Sequence, residues 1–568
     1  AAQAKPSPES WTTAAASLRD FLEKSPGQPQ AADAAYFLGE SLWQGGKRDD
    51  AVAVWARCVQ DHPDAPRLPD VLYALGVGQA ETGRGAEAAA TLERFASSFP
   101  GHALAADVAL WRADLALASG QSAVAEKVLD PIAAGSGPRA AEALDRLGKA
   151  RWNQKNWSGA ADAFTRLVRD HAGSPLAARA AVAAGRSLVE AGKPAEARLL
   201  LEKAAAGTGP ESFDAAHRLA LLELYAKQPA RALDVATRAL AAIAGRKEAD
   251  QTLVATLELD RADALWALPE RRGEAATAYA AIADRHPDSP AGAGAASMAA
   301  LAYLEQQKPA EALTRAEAFL ARHAKPGEET TLDIRAIRAE ALLGLGKTAA
   351  AADAYRELVA AAERSPKRPA WQVRQGVALA AEKDWQRAHD LLAPLLATVS
   401  GDLQAEARFL DATALVELKR PADAAQVLAD LEKSSPRWSR REEALLLAVR
   451  ALREAGDASA ALAAGERLVA DHPTGQNADV SWFRVGQLRQ ETRRFDDAIV
   501  AFRKSVAARP DGPRAAWAVL ATGWCHEGAG RLAEAVQAWN DLVEKYPQAA
   551  AVQPALLARA DVRQRRGE

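Results

Sequence analysis

Cysteine is nearly absent from this chain. Cys58 and Cys525 are the only two in 568 residues, and they stand far apart, so neither a disulfide framework nor a zinc-ligand spacing can be drawn. Methionine is rarer still, with Met298 alone. No apolar run approaches the roughly 18–20 residues that a membrane-spanning helix needs. A surplus charge of one sign is also lacking. The 71 Lys and Arg against 74 Asp and Glu leave a formal net charge of -3. That balance excludes a sequence-independent grip on nucleic acid, which requires a strongly basic face. There is no H-E-x-x-H, no phosphate-binding P-loop and no G-x-G-x-x-G after a strand. β-branched runs and period-2 alternation are scarce, whereas alanine dominates, and both facts point to helix.

What is present is a period. The stretch LGESLWQGGKRDDAVAVWARCVQDHP at 38–63 recurs as LGVGQAETGRGAEAAATLERFASSFP at 75–100 and as VGQLRQETRRFDDAIVAFRKSVAARP at 485–510. The clearest marker is one alanine early in the second half of each block. It stands at Ala51, Ala88, Ala125, Ala160, Ala197, Ala232, Ala275, Ala312, Ala351, Ala388, Ala424, Ala461, Ala498 and Ala535, most often 37 residues apart. Two antiparallel helices joined by a tight turn approach to about 8–10 Å, and their crossing point admits only a small side chain. Four positions later most units carry a large apolar residue, among them Trp55, Leu92, Phe164, Tyr279, Tyr355, Phe502 and Trp539, placed to fill the gap beside that crossing. Five positions before the alanine, half the units carry glycine, which suits the left-handed end of a first helix. Prolines such as Pro63, Pro100, Pro473 and Pro547 stop the second helix.

These features resemble the tetratricopeptide repeat family. Leu38-Gly39, Leu75-Gly76 and Leu147-Gly148 match its first-helix pair, and Trp11, Trp157, Trp385 and Phe495 occupy its tyrosine slot. The units here are longer than the family's 34 residues, and many lack the first-helix glycine. The resemblance implies an all-α fold: an α-solenoid of about 14 helical hairpins wound as a right-handed superhelix, with a concave groove lined by first helices. Closing phrases such as DHPDAP, RHPDSP and EKYPQA resemble those of bacterial cell-envelope members. The expected organisation is a half repeat or cap at 1–30, a first subarray at 31–247, a second at 248–550 and an unpaired terminal helix at 551–568. The period stretches most between Ala232 and Ala275. The chain opens Ala1-Ala2-Gln3-Ala4 without an initiator methionine, so the expectation is an exported, periplasmic protein whose signal peptide has been removed, with a cytoplasmic location as the alternative.

No catalytic, cofactor-binding or metal-binding constellation stands out. His62, His286 and His472 precede closing prolines in equivalent slots and read as loop residues. Cys525-His526-Glu527 has no resolvable catalytic partner. Chaperone-binding members of the family clamp a terminal carboxylate with lysines and asparagines, but the few asparagines here form no matching set. The expected function is therefore a non-enzymatic protein–protein interaction scaffold, a subunit of a multi-protein complex in the bacterial envelope. The alternative is a periplasmic module that binds polysaccharide or peptidoglycan through tryptophans.

If the family geometry holds, the N-terminal groove displays Asp33, Tyr36, Glu40, Trp43, Asp70, Tyr73, Asp107 and Asp114. Acids with aromatic anchors would suit a basic peptide or helix. The aspartates near helix starts would equally satisfy helix dipoles. Lys149, Arg179 and Arg186 then reverse the sign. A second candidate is the stripe of Trp517, Leu520 and Trp524. Trp55 and Trp539 are assigned to the repeat core.

Overall fold

The structure, a computed structural model, describes residues 8–567 except 208, 245 and 247–249. The opening Ala1–Ala4 and the boundary expected between 247 and 248 lie outside the described residues. Thirty α-helices and two short 3-10 helices, and no strand, occur among the described residues. The chain divides into two compact units, Ala1–Gly292 and Ala293–Glu568. Within each unit, helices pack in chain order on their predecessors as antiparallel pairs, which makes the architecture an α-solenoid. The unit ends carry single helices, Pro8–Lys24 against Ala31–Gln44 at the start and Val552–Arg566 against Leu532–Lys545 at the end.

The marker alanines build the pairs. Thirteen of the fourteen have no accessible surface, and Ala388 keeps 1%. The large residue one turn later lies over a small first-helix residue sixteen positions before it. A β-carbon built on Gly39 would lie 2.1 Å from the Trp55 Nε1, and one on Gly148 would lie 2.5 Å from the Phe164 ring. Gly76–Leu92, Gly185–Leu201, Gly376–Leu392, Gly486–Phe502 and Gly523–Trp539 repeat this arrangement. Where the second helix carries Ala236 or Ala316 instead, the first-helix slot holds Ala220 or Ala300, all four fully buried. In these two units a smaller partner matches the missing glycine, whereas Ala113–Leu129, Ala339–Tyr355 and Ala412–Leu428 set alanine against a large residue and Asp263 faces Tyr279.

The turn is also conserved where its glycine is not. Gly46, Gly83, Gly120, Gly192, Gly346, Gly456 and Gly530 have φ between 70° and 85°. In the other units Lys155, Lys227, Gln307, Lys383, Lys419 and Arg493 occupy the same slot at φ between 57° and 61°. Each closes the first helix by the same pair of hydrogen bonds. The Gly46 N–H donates to the Trp43 carbonyl at 3.0 Å, and the Lys47 N–H donates to the Leu42 carbonyl at 2.9 Å. One unit departs: Glu270 falls in the 3-10 helix Pro269–Arg271, where the period is stretched.

First helices of successive pairs touch within a unit, as Ala177–Glu190 does with Pro210–Tyr225, whereas second helices of successive pairs do not touch to the same extent. First helices therefore line the inner side of each unit's curvature.

Candidate interaction surface

The inner face is held by arginine–carboxylate pairs that run from one repeat to the next. The spacing is close to one repeat. Arg67 reaches back to Asp33, Arg179 to Asp145, Lys367 to Asp333, Arg374 to Glu340 and Arg440 to Glu406. Each cation stands 34 residues after its acid, at or near the start of the next first helix or one turn further along it. Partly exposed pairs of this kind contribute little to stability one at a time, but bidentate geometry fixes orientation. Arg146 supplies such a fork to Asp114, at 2.7 and 2.8 Å.

These pairs change the reading of the N-terminal groove. Arg67 binds Asp33, lies 3.6 Å from Asp70, and places its guanidinium 5.3 Å from the Tyr36 ring centre and 5.2 Å from that of Phe37. Arg139 holds Asp107 at 2.7 Å. Asp33, Asp70, Asp107 and Asp114 thus each face an arginine, with Asp33 and Asp70 sharing Arg67, so the lining is not the bare acidic one expected for a basic peptide. Sequence periodicity alone did not reveal this, because the partner sits one repeat away. Glu40 differs. It is half-buried with no ion pair, and burial raises its carboxyl above the usual range.

The aromatic positions separate. Trp43 packs at 5.8 Å from Trp55 and lies under the Arg48 guanidinium at 4.9 Å, so much of it belongs to the repeat interior. Tyr36 and Tyr73 are half-buried in equivalent slots, and burial raises both phenols. Phe37, which sequence reasoning passed over, is 48% exposed. Lys149 and Arg179 converge on the buried carboxylate of Asp145 at 2.6 and 2.9 Å, and Arg186 stacks on Trp152 at 4.2 Å. These three line a cavity of about 270 Å³ that also holds Asp214 and Arg218.

The C-terminal stripe also needs correction. Trp517 and Trp524 are exposed, but Leu520 has no accessible surface. Leu520 packs in the core with Trp539, whose indole N–H donates to its carbonyl at 3.3 Å. Its side chain is not available to a partner. Trp55 and Trp539 are core residues, as expected. Trp43, Trp152 and Trp482 carry the cationic groups of Arg48, Arg186 and Lys504 over their rings.

His62, His286 and His472 cap the C-termini of second helices in one conformation, as their slots implied. Cys525 is fully buried, and burial pushes its thiol up to about 12, the reverse of what a nucleophile needs. Among the described residues, no group of side chains is arranged to hold a metal ion, and no helix is long and apolar enough to cross a membrane.

A cavity that the sequence analysis missed lies on the inner face of the second unit. It measures about 460 Å³ and is walled by Phe409, Leu446, Leu447 and Val480, with Arg450, Arg453 and Arg484 at its polar side. A signal for it exists in the 34-residue rule. Thirty-four residues before Arg484 stands Arg450, whereas Arg374, at the matching position of its own helix, has Glu340 thirty-four residues before it.

The Tetratricopeptide repeat family model matches residues 9–66, 40–103, 110–175, 146–206, 182–247, 297–366, 337–402 and 483–550. No curated protein matches the chain. Solved structures similar to it include a MamA protein, with 20% identity, TM-score 0.29, and coverage of 32% of this chain and 94% of that one. The APC/C hetero-tetramer Cut9–Hcn1 aligns over 96% of this chain and 98% of its own at 14% identity and TM-score 0.30. The C-terminal part of a TPR repeat-containing protein from Cytophaga hutchinsonii aligns over 46% and 98%, at 16% identity and TM-score 0.38. With family matches spanning most of its length and the repeat's alanine crossing and left-handed turn recurring throughout, the chain belongs to the tetratricopeptide repeat family.

Proposed function

We propose that this protein is a non-enzymatic scaffold that recruits or organises subunits of a larger complex, and that it works in the bacterial envelope. The observation that carries the first part is the inner face. Its side chains are pre-positioned by repeat-to-repeat ion pairs, so a partner meets an ordered surface and the entropic cost of association falls. Exposed aromatics on that architecture, Phe37 near one end and Trp517 and Trp524 near the other, are the residue types that dominate binding energy at interfaces. The envelope setting is supported by the closing phrases DHPDAP, RHPDSP and EKYPQA.

Native co-purification with mass spectrometry tests the scaffold role. Wild type is compared with Phe37→Ala and with Trp517→Ala/Trp524→Ala. Recovery of defined partners that one of these variants loses is the expected result. Identical recovery from all three, with helix content intact, overturns the use of these anchors. Cell fractionation tests the setting, and a purely cytoplasmic protein overturns it.

A further inference from the structure

We propose that the cavity walled by Phe409, Leu446, Leu447 and Val480 receives an acidic side chain of a protein partner, an internal Asp or Glu flanked by apolar residues, with Arg484 as its counter-ion. The inference deepens the scaffold reading and rests on it.

Charge around the cavity is unbalanced. Around the cavity, cations and acids pair off with one exception. Arg450 binds Glu417 at 3.0 Å and Glu454 at 2.8 Å. Arg453 binds Glu491, and Glu443 is taken by Arg440. Arg514 leans on Asp479 at 3.9 Å. Arg484 has no carboxylate. Its one side-chain hydrogen bond is donated to the neutral Gln487 Oε1 at 3.0 Å. A half-buried guanidinium has lost much of its water and still needs an acceptor. Burial, with Arg453, Arg514 and Arg450 nearby, lowers its proton affinity against a weaker opposing pull from Glu491. At the matching position of an earlier repeat, Arg374 receives Glu340 from the preceding first helix. Here the chain supplies Arg450.

Geometry then selects the ligand. Phe409 lies on the first helix Gly401–Glu417, Leu446 and Leu447 on Arg441–Glu454, and Val480 on Ala478–Glu491. Apolar wall is therefore contributed by all three successive first helices, with the guanidinium at one side. A chain crossing all three helices presents apolar groups before and after its carboxylate. An inorganic anion would leave those walls unused. A carboxylate offers the planar two-oxygen acceptor that a guanidinium fork matches.

The test is selection of a random peptide library displayed on phage, fused through its C-terminus so that only internal carboxylates are available. The target is the full chain. Enriched peptides are then synthesised with both ends capped and titrated against wild type, Arg484→Gln and the control Arg238→Gln, an exposed second-helix arginine. We expect peptides carrying Asp or Glu between large apolar residues. Affinity should fall at least tenfold on Arg484→Gln, stay within twofold on Arg238→Gln, and fall when the peptide acid becomes its amide. It should also weaken with added salt. Arg484→Gln removes a repelled charge, so its melting temperature should not fall, and a binding loss is then not a folding loss. Peptides that bind equally well to Arg484→Gln overturn the inference but leave the scaffold reading standing. Failure of any peptide to bind wild type counts against both.

Discussion

The Trp55 indole N–H donates to the Tyr36 carbonyl at 3.2 Å, across a first helix whose facing residue is Gly39. The contact is possible because Gly39 has no side chain. Gly39→Ala should therefore overpack the crossing and cost about 1–3 kcal/mol. In a double-mutant cycle, Trp55→Ala should relieve most of that cost, so the two substitutions should be strongly non-additive. Thermal and denaturant unfolding of the four proteins measures the coupling, and additive behaviour would contradict the paired-volume account.

The left-handed turn residues make a second case. Lys155, Lys227 and Lys419 hold φ near 60° without being glycine. A side chain in that region costs roughly 1–2 kcal/mol, partly offset by the extra freedom glycine has when unfolded. Each Lys→Gly change should stabilise by about 0.5–1 kcal/mol. The same change at a mid-helix lysine should destabilise, which separates the turn effect from loss of charge.

Glu223 is 2% exposed, and its carboxylate is paired with Arg198. Arg198→Met should strand a buried charge and lower stability by about 2–4 kcal/mol. Adding Glu223→Leu should restore most of it. Hydrogen exchange in the helix Pro210–Tyr225 is the measurement that localises the effect.

Asp263 occupies the slot that is glycine or alanine in most units, and accepts a hydrogen bond from the Tyr279 hydroxyl at 2.6 Å. Burial pushes its carboxyl up to about 6. The folded state thus holds the proton more tightly than the unfolded chain does. This contribution is fully present below about pH 4 and is lost as pH rises through about 6. Asp263→Asn keeps an acceptor for Tyr279 without the charge. The variant should match wild type near pH 4 and exceed its stability by about 1–3 kcal/mol at pH 7. A gap independent of pH would refute this.

Cys58 and Cys525 are buried, with thiols raised to about 11 and about 12. Alkylation of the native protein at pH 8 should be slow at both and become fast only in denaturant. Rapid labelling of Cys525 in the folded chain would reopen the nucleophile reading of Cys525-His526-Glu527.

Much of the fold could be read from the sequence because its rules are local. Ala51 and Trp55 are one helical turn apart, and Gly46 precedes them by one turn of chain, so a single block displays the whole device. The inner face is a different matter. Asp33 and Arg67, or Glu340 and Arg374, are a repeat apart, and each alone looks like an ordinary helix-start acid or a solvated cation. Leu520 misled for a related reason. Helical spacing places it near Trp517 and Trp524, but its own angle turns it toward Trp539. Arg484 was invisible until the pairing rule was known, because its distinction is a missing partner.

The ion pairs that join successive first helices lie on one side of each unit only. A stack braced on its inner side resists opening, since each degree of unbending stretches charged rungs. It closes further with less resistance, since ties between second helices are fewer: Arg84–Asp49 in the first unit, and Arg467–Glu432, Arg494–Glu466 and Arg531–Asp496 in the second. Each unit should therefore behave as a spring with unequal stiffness in its two directions, and salt should soften the stiffer one.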